Sequence, residues 1–244
     1  MSCLFELQRP VVLFDLDGTL LPMDYDTFER KYFGGLCHAL PDIEPLKLVA
    51  AIWDGVKAMV RNDGARPNRD AFADAFSASV GMDYYEREEE FLRYYHSGFQ
   101  TCREVCDLTD LSGKIVDVLQ EKGYTVAIAT NPLFPQVATY SRLRWLGIEP
   151  ERFPLVTTFE NSGTAKPNPA YYLEVCSKLG VSPSECIMIG NDMQEDGIAA
   201  SVGMEVVIVR ECLINRKDRE PEGLHTVQTL QDVLNWANAL PSLT

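Results

Sequence analysis

Residues 11–22 read VVLFDLDGTLLP, an apolar run followed by two aspartates two positions apart. Its first four residues are all apolar, which is typical of a strand buried on both faces of a parallel sheet. Asp15 and Asp17 follow directly. Two carboxylates this close repel each other and resist losing their water, so the pair gains nothing structural without a cation between them. The stretch therefore predicts a buried strand that ends at a cation-binding site.

Further apolar runs resemble the first and predict a five-stranded parallel sheet. The five predicted strands are residues 11–15, 125–130, 154–158, 186–190 and 205–209. Between the later runs, apolar residues recur at helical spacing, and each helical pattern ends at a glycine. Strand, helix and strand at this rhythm predict an α/β fold, with a Rossmann-like doubly wound parallel sheet as its core.

Helical patterns alone occupy the interval after the first strand, from Leu21 to about Asp110. We therefore predict that residues 22–107 form an inserted all-α cap, and that residues 1–21 and 108–244 form the Rossmann-like catalytic core. The residues expected to start the helices are Asp26 with Glu29, which resemble a capping box, then Pro45 and Asn68.

The composition limits the classes of partner. The formal net charge is −14, spread along the chain, which argues against nucleic acid and against an anionic membrane surface. A small anionic substrate stays possible, because one lysine or a bound metal reverses the sign of a pocket. No leader or bilayer-spanning run is visible, and the seven cysteines include no zinc-like pair. We expect a cytoplasmic protein with free thiols, and its oligomeric state is left open.

Polar residues follow several predicted strands, where open α/β sheets bind their ligands. They are Asp15, Asp17, Thr130, Asn131, Lys166, Asn191, Asp192 and Asp196. Carboxylate oxygens suit a hard cation such as Mg²⁺, which keeps coordination positions for water and phosphate oxygens. The lysine adds positive charge and the threonine a donor, both useful to a phosphoryl group. The pattern predicts a site for Mg²⁺ and phosphate.

The motifs DLDGTL, AIATN, KPNP and IGNDMQED, in this order and spacing, resemble those of the haloacid dehalogenase superfamily. The chain is most similar to the phosphatase branch with an inserted helical cap of the first type. The resemblance covers nearly the whole core, but almost no motif of the cap. It implies a Mg²⁺-dependent phosphoric monoester hydrolase that acts on a small phosphorylated metabolite through an aspartyl-phosphate.

The resemblance also assigns roles to individual residues. It implies that Asp15 is the nucleophile and that Asp17 protonates the leaving oxygen, then activates the hydrolytic water. The Asp15 carboxylate and the Asp17 backbone carbonyl would hold the metal. Thr130 and the next amide, that of Asn131, would hold phosphoryl oxygens, and Lys166 would neutralise charge on the moving group.

The fourth motif leaves one metal ligand open. Asn191 directly follows the glycine, where the family usually has its ligand, whereas Asp192 carries the charge that Mg²⁺ prefers. We expect Asp192 to be the direct ligand and Asn191 to orient the loop. Asp196 would accept hydrogen bonds from metal-bound water or from Lys166.

Other functions compatible with these residues are a phosphomutase or phosphotransferase of the same superfamily, and a non-catalytic phosphate-binding or regulatory module. A response-regulator receiver also uses a strand-end aspartate, a threonine and a lysine, but it is about half this length and lacks a cap. Dehalogenases of the superfamily lack the second aspartate, so Asp17 argues against that chemistry.

Overall fold

A computed structural model describes residues 8–243. The strands of this part of the chain are β1 (Val11–Phe14), β2 (Thr125–Ile128), β3 (Cys186–Gly190), β4 (Glu205–Val209) and β5 (His225–Val227). Its α-helices are α1 (Tyr25–Ala39), α2 (Pro45–Val60), α3 (Asn68–Val80), α4 (Tyr84–His96), α5 (Leu111–Glu121), α6 (Gln136–Trp145), α7 (Pro169–Leu179) and α8 (Leu230–Ala239). A 3₁₀ segment, Gly98–Val105, follows α4.

The strands form one parallel sheet in the order β2-β1-β3-β4-β5. Val12 and Phe14 of β1 point into a core shared with α5 and α8, whereas Val11 and Leu13 point into a core shared with α7. Both faces of β1 are therefore buried, as its continuous apolar run requires. This arrangement confirms the predicted doubly wound α/β fold.

Two edges of the sheet differ from the prediction. The segment 154–158 is not a full strand, because only Val156 bridges to β2, where Ile128 donates to Leu155 and accepts from Thr157. At the opposite edge, β5 was not predicted from the sequence. It has only three residues, His225–Val227, and lacks the apolar run used to recognise the others.

We name residues 22–107 the cap. Two of its helices begin at positions other than those predicted from the sequence. The predicted cap Asp26 lies inside α1, and Asp24 caps the helix instead by accepting from the Thr27 N–H at 2.9 Å. Asn68 was expected to cap α3, but it is the first helical residue and Pro67 precedes it. The buried Asn68 amide donates instead to the carbonyls of Pro132 (3.4 Å) and Thr164 (3.0 Å).

The chain enters and leaves the cap at neighbouring positions. Met23 and Cys106 form an antiparallel bridge, and the Asp107 N–H donates to the Pro22 carbonyl at 2.9 Å. The placement of domain boundaries at 21/22 and 107/108 stays a prediction. Across residues 8–243, none of the helices has the length and apolar character needed to cross a membrane.

Candidate active site

The site is built on the turn that follows β1. The Asp15 N–H donates to the Ile189 carbonyl of β3 at 2.9 Å, which fixes Asp15 at the carboxyl end of the sheet. The chain then turns at Gly18, whose φ is +79°. A Cβ on this residue would lie 2.4 Å from Nδ2 of Asn191, so only glycine allows the turn to pack against Asn191.

A buried lysine lies between two carboxylates. The Lys166 ammonium donates to Oδ1 of Asp15 at 2.9 Å and to Oδ1 of Asp196 at 2.6 Å. All three side chains are almost completely buried. One positive charge therefore faces two carboxylates, and a further bound cation would balance the charge of this part of the site.

Burial and charge shift the pKa values of these groups. Burial, helped by repulsion from Asp196 and opposed by Lys166, raises the pKa of Asp15 to about 8. Burial acts to lower the pKa of Lys166, but attraction to Asp15 and Asp196 prevails and holds that pKa well above its usual range. Lys166 is thus a permanent cation beside the predicted nucleophile.

Asp196 organises the loop after β3. Its Oδ2 accepts from the backbone N–H groups of Asn191 and Asp192, both at 2.9 Å. A Cβ at Gly190 would lie only 2.1 Å from this oxygen, so the carboxylate occupies the space that a larger residue would need. Asp196 therefore links the loop to Lys166.

Asn191 and Asp192 point to different partners. Oδ1 of Asn191 accepts from the Thr19 hydroxyl at 3.0 Å, and that hydroxyl lies 3.5 Å from Oδ2 of Asp15. The carboxylate of Asp192 accepts from Arg216 at 2.6 Å and from the amides of two following residues. The amide oxygen of Asn191 is thus on the side of Asp15, whereas the Asp192 carboxylate already has hydrogen-bond partners.

The second aspartate of the first motif also has a cationic partner. The fully buried Arg142 of α6 contacts Oδ2 of Asp17, while Oδ1 of Asp17 is buried and has no hydrogen-bond partner within the described structure. The Asp17 backbone carbonyl accepts from the hydroxyl of Tyr25, the first residue of α1. One carboxylate oxygen is therefore fixed by Arg142, and the other has no partner in the described structure.

Thr130 and Asn131 lie just past β2, and both line the same cavity as Asp15. The side-chain amide of Asn131 joins two neighbouring loops, since its Oδ1 accepts from the Lys166 N–H at 3.2 Å and its Nδ2 donates to Glu195 at 2.9 Å. Thr130 is buried, and its carbonyl accepts from Thr157 and Tyr171. These bonds hold the backbone of the phosphate-binding candidates in place.

The oxygens near Asp15 fit a magnesium ion. Among residues 8–243, no three His, Cys, Asp or Glu side chains are grouped to hold a metal. Mg²⁺ does not require such a group, because it is bound through one or two carboxylates together with substrate oxygens and water. The Asp15 carboxylate, the Asp17 carbonyl and the Asn191 amide oxygen supply that kind of donor set, beside an uncompensated buried charge.

Two arginines of the site were not assigned a role from the sequence, namely Arg142 and Arg216. Arg142 could have been recognised, because it shares the inward face of α6 with Ala138, Thr139 and Leu143. A charged residue on such a face needs a buried partner. No comparable pattern marks Arg216, which reaches Asp192 from the segment between β4 and β5.

Comparison with known proteins gives consistent matches. The family profile of the haloacid dehalogenase-like hydrolases matches residues 10–203. N-acetylmuramic acid 6-phosphate phosphatase of Pseudomonas aeruginosa is 26% identical over 213 residues, covering 87% of this chain and 86% of the relative. Phosphoglycolate phosphatase of Xanthomonas campestris is 27% identical, covering 80% of each chain. The crystal structure of a phosphatase from Thermococcus onnurineus has a TM-score of 0.58 at 22% identity, covering 96% and 99% of the two chains.

Proposed function

We propose that this chain, which belongs to the haloacid dehalogenase-like hydrolases and is a phosphoric monoester hydrolase, acts on a small phosphorylated metabolite through an aspartyl-phosphate on Asp15. The observation that carries the proposal is the position of Asp15. Its carboxylate lies at the end of β1, beside the Lys166 ammonium at 2.9 Å, in a cavity of about 730 Å³.

In the proposed reaction, a carboxylate oxygen of Asp15 attacks phosphorus and the bond from phosphorus to the alcohol oxygen breaks. Asp17 gives a proton to the leaving oxygen through Oδ1, the oxygen that Arg142 does not contact. Lys166 and the Thr130 region balance the negative charge of the transferred group. Water then attacks the phosphoryl group, Asp17 takes a proton from it, and inorganic phosphate leaves with Asp15 regenerated.

We propose that the Asp15 carboxylate, the Asp17 backbone carbonyl and the Asn191 side-chain oxygen hold the Mg²⁺ ion. This reverses the sequence-based preference for Asp192, because Asp192 already accepts from Arg216 and from two amides. Asp196 is engaged by Lys166 and two loop amides, and we assign it a positioning role. When bound, the metal would offset the negative charge of the phosphoryl oxygens.

Release of inorganic phosphate from simple phosphate esters tests the proposal. Wild-type protein with Mg²⁺ should release phosphate, chelation of the metal should stop the release, and Asp15→Asn should lower kcat by several orders of magnitude. Asp117→Asn, an exposed change on α5, is the matched control and should keep wild-type turnover. Wild-type rates in Asp15→Asn, or transfer of phosphate to a second alcohol without its release, would overturn the proposed hydrolysis.

A further inference from the structure

The part of the cavity that the cap contributes is apolar and aromatic. Six of its rings belong to Phe28, Tyr32, Trp53, Phe72, Phe91 and Tyr95. Ile52, Val56 and Val60 of α2 complete this surface, which we name the apolar wall. Its members come from all four cap helices, and they line the same cavity as Asp15 and Lys166.

The apolar wall offers no positive charge. Among the described cap residues that line the cavity, the charged side chains are Asp26 and Glu29, and both are acidic. Two cations of the core also line the cavity, but Lys166 is held by Asp15 and Asp196, and Arg216 by Asp192 at 2.6 Å. A substrate with a second anionic group would therefore meet repulsion near the cap and find no unengaged cation there.

The wall also provides few partners for hydroxyl groups. Its polar groups are the tyrosine hydroxyls and the indole N–H of Trp53, and the hydroxyls of Tyr32 and Tyr95 are bonded to each other at 3.0 Å. Sugar hydroxyls buried against such a surface would lose their water without gaining enough hydrogen bonds. An apolar group buried there would gain from the removal of its surface from water and from contact with aromatic rings.

We propose that the substrate is the phosphate monoester of a bulky, uncharged and apolar alcohol, bound against the apolar wall. The inference rests on the proposed phosphatase function and narrows it. It separates this chain from its relatives named for phosphoglycolate and for N-acetylmuramic acid 6-phosphate, since both of those substrates carry a carboxylate.

Two matched pairs of esters test the proposal on wild-type protein with Mg²⁺. Cyclohexylmethyl phosphate and glucose 6-phosphate have the same ring size and the same primary leaving oxygen, and differ in the ring oxygen and the hydroxyls. Benzyl phosphate and 4-carboxybenzyl phosphate differ in one carboxylate. We expect kcat/KM to favour the first member of each pair by at least about tenfold. Equal values, or a preference for the second members, would overturn the inference.

Variants of the apolar wall test whether its residues cause the preference for apolar esters. Trp53, which is 40% exposed, can be truncated without opening the centre of the cap. Trp53→Ala should lower the ratio of kcat/KM for cyclohexylmethyl phosphate to that for phosphoglycolate by about tenfold. Leu46→Ala, in the first turn of the same helix at a residue 79% exposed and outside the cavity, is the control and should leave the ratio unchanged.

The two acidic cap residues that line the cavity, Asp26 and Glu29, give a second variant. Asp26→Asn combined with Glu29→Gln should raise kcat/KM for 4-carboxybenzyl phosphate but not for benzyl phosphate. The absence of a selective gain would contradict the role of the two carboxylates.

The outcomes separate the two proposals: turnover through Asp15 with a preference for charged or hydroxylated esters overturns this inference alone. Absence of turnover of every ester, and of the acyl phosphate acetyl phosphate, overturns the proposed function and this inference with it.

Discussion

The guanidinium of Arg142 contacts the carboxylate of Asp17 from a completely buried position, although the two residues are 125 positions apart in the sequence. It also lies over the ring of Phe134, 4.4 Å from the ring centroid, and donates to Thr139 at 3.2 Å. A side chain held by so many contacts has one orientation. Arg142 therefore fixes the rotamer of Asp17 and leaves Oδ1, the oxygen to which we assign the proposed proton transfer, without a hydrogen-bond partner in the described structure.

A double-mutant cycle tests this positioning role. Arg142→Met should lower kcat at least tenfold while changing the affinity for vanadate little, and should lower the free energy of unfolding by about 3 kcal/mol because Asp17 keeps an uncompensated charge. In an Asp17→Asn background the same change should cost much less in both measurements. Equal costs in the two backgrounds would show that Arg142 acts independently of Asp17.

The choice between Asn191 and Asp192 can be decided by metal titration. Asn191→Ala should raise the Mg²⁺ concentration for half-maximal activity at least tenfold, because it removes an oxygen next to Asp15. Asp192→Asn keeps an oxygen for the loop amides and should change that concentration little. Calorimetric Mg²⁺ binding gives the same comparison without turnover. A larger shift in Asp192→Asn would restore Asp192 as the ligand.

Gly190 should tolerate no side chain. In Gly190→Ala the new methyl group would lie 2.1 Å from Oδ2 of Asp196 and would displace the carboxylate that holds Lys166. We expect a loss of more than about a hundredfold in kcat and of about 1–3 kcal/mol in the free energy of unfolding.

Gly113→Ala in α5 is the matched control, since nothing lies within 4 Å of its added methyl group. It should stabilise the protein by about 0.5–1 kcal/mol at unchanged activity. Thermal melts and turnover of both variants check the pair. A fully active Gly190→Ala protein would show that the Asp196 position is not required.

We also predict that the cap closes over the site, with hinges at residues 21–24 and 106–110. Hydrogen exchange in the presence of vanadate should show protection at the cap–core edge, where the Asn68 N–H donates to the Ser162 carbonyl at 2.7 Å. Asn68→Asp retains the size but replaces the side-chain donor with a carboxylate facing two carbonyls, and should reduce that protection. Protection confined to the core loops would contradict closure.

The central strands, and the proximity of Lys166 to Asp15 and Asp196, were predicted best from the sequence, for a physical reason. β1, β3 and β4 are covered on both faces, so nearly all their residues must be apolar, and this is visible in a short stretch of sequence. Asp15 and Asp196 lie within short motifs, DLDGTL and IGNDMQED. Contacts between distant segments were not predictable in this way. The orientation of Asn191 depends on its bond to the Cys212 carbonyl at 2.7 Å, which no local pattern encodes. The edge strand β5 was missed because partial exposure permits polar residues there.

The pairing of Met23 with Cys106 makes neighbours of the two positions at which the chain enters and leaves the cap. The ends of a different helical insert would therefore need to span only a short distance there. On the proposals above, selectivity for the alcohol would lie with this insert, and the chemistry with residues at the end of the sheet. We expect that a helical insert taken from a phosphatase of different selectivity, joined at these two positions, would confer its substrate preference on this chain, with Asp15 still the proposed nucleophile.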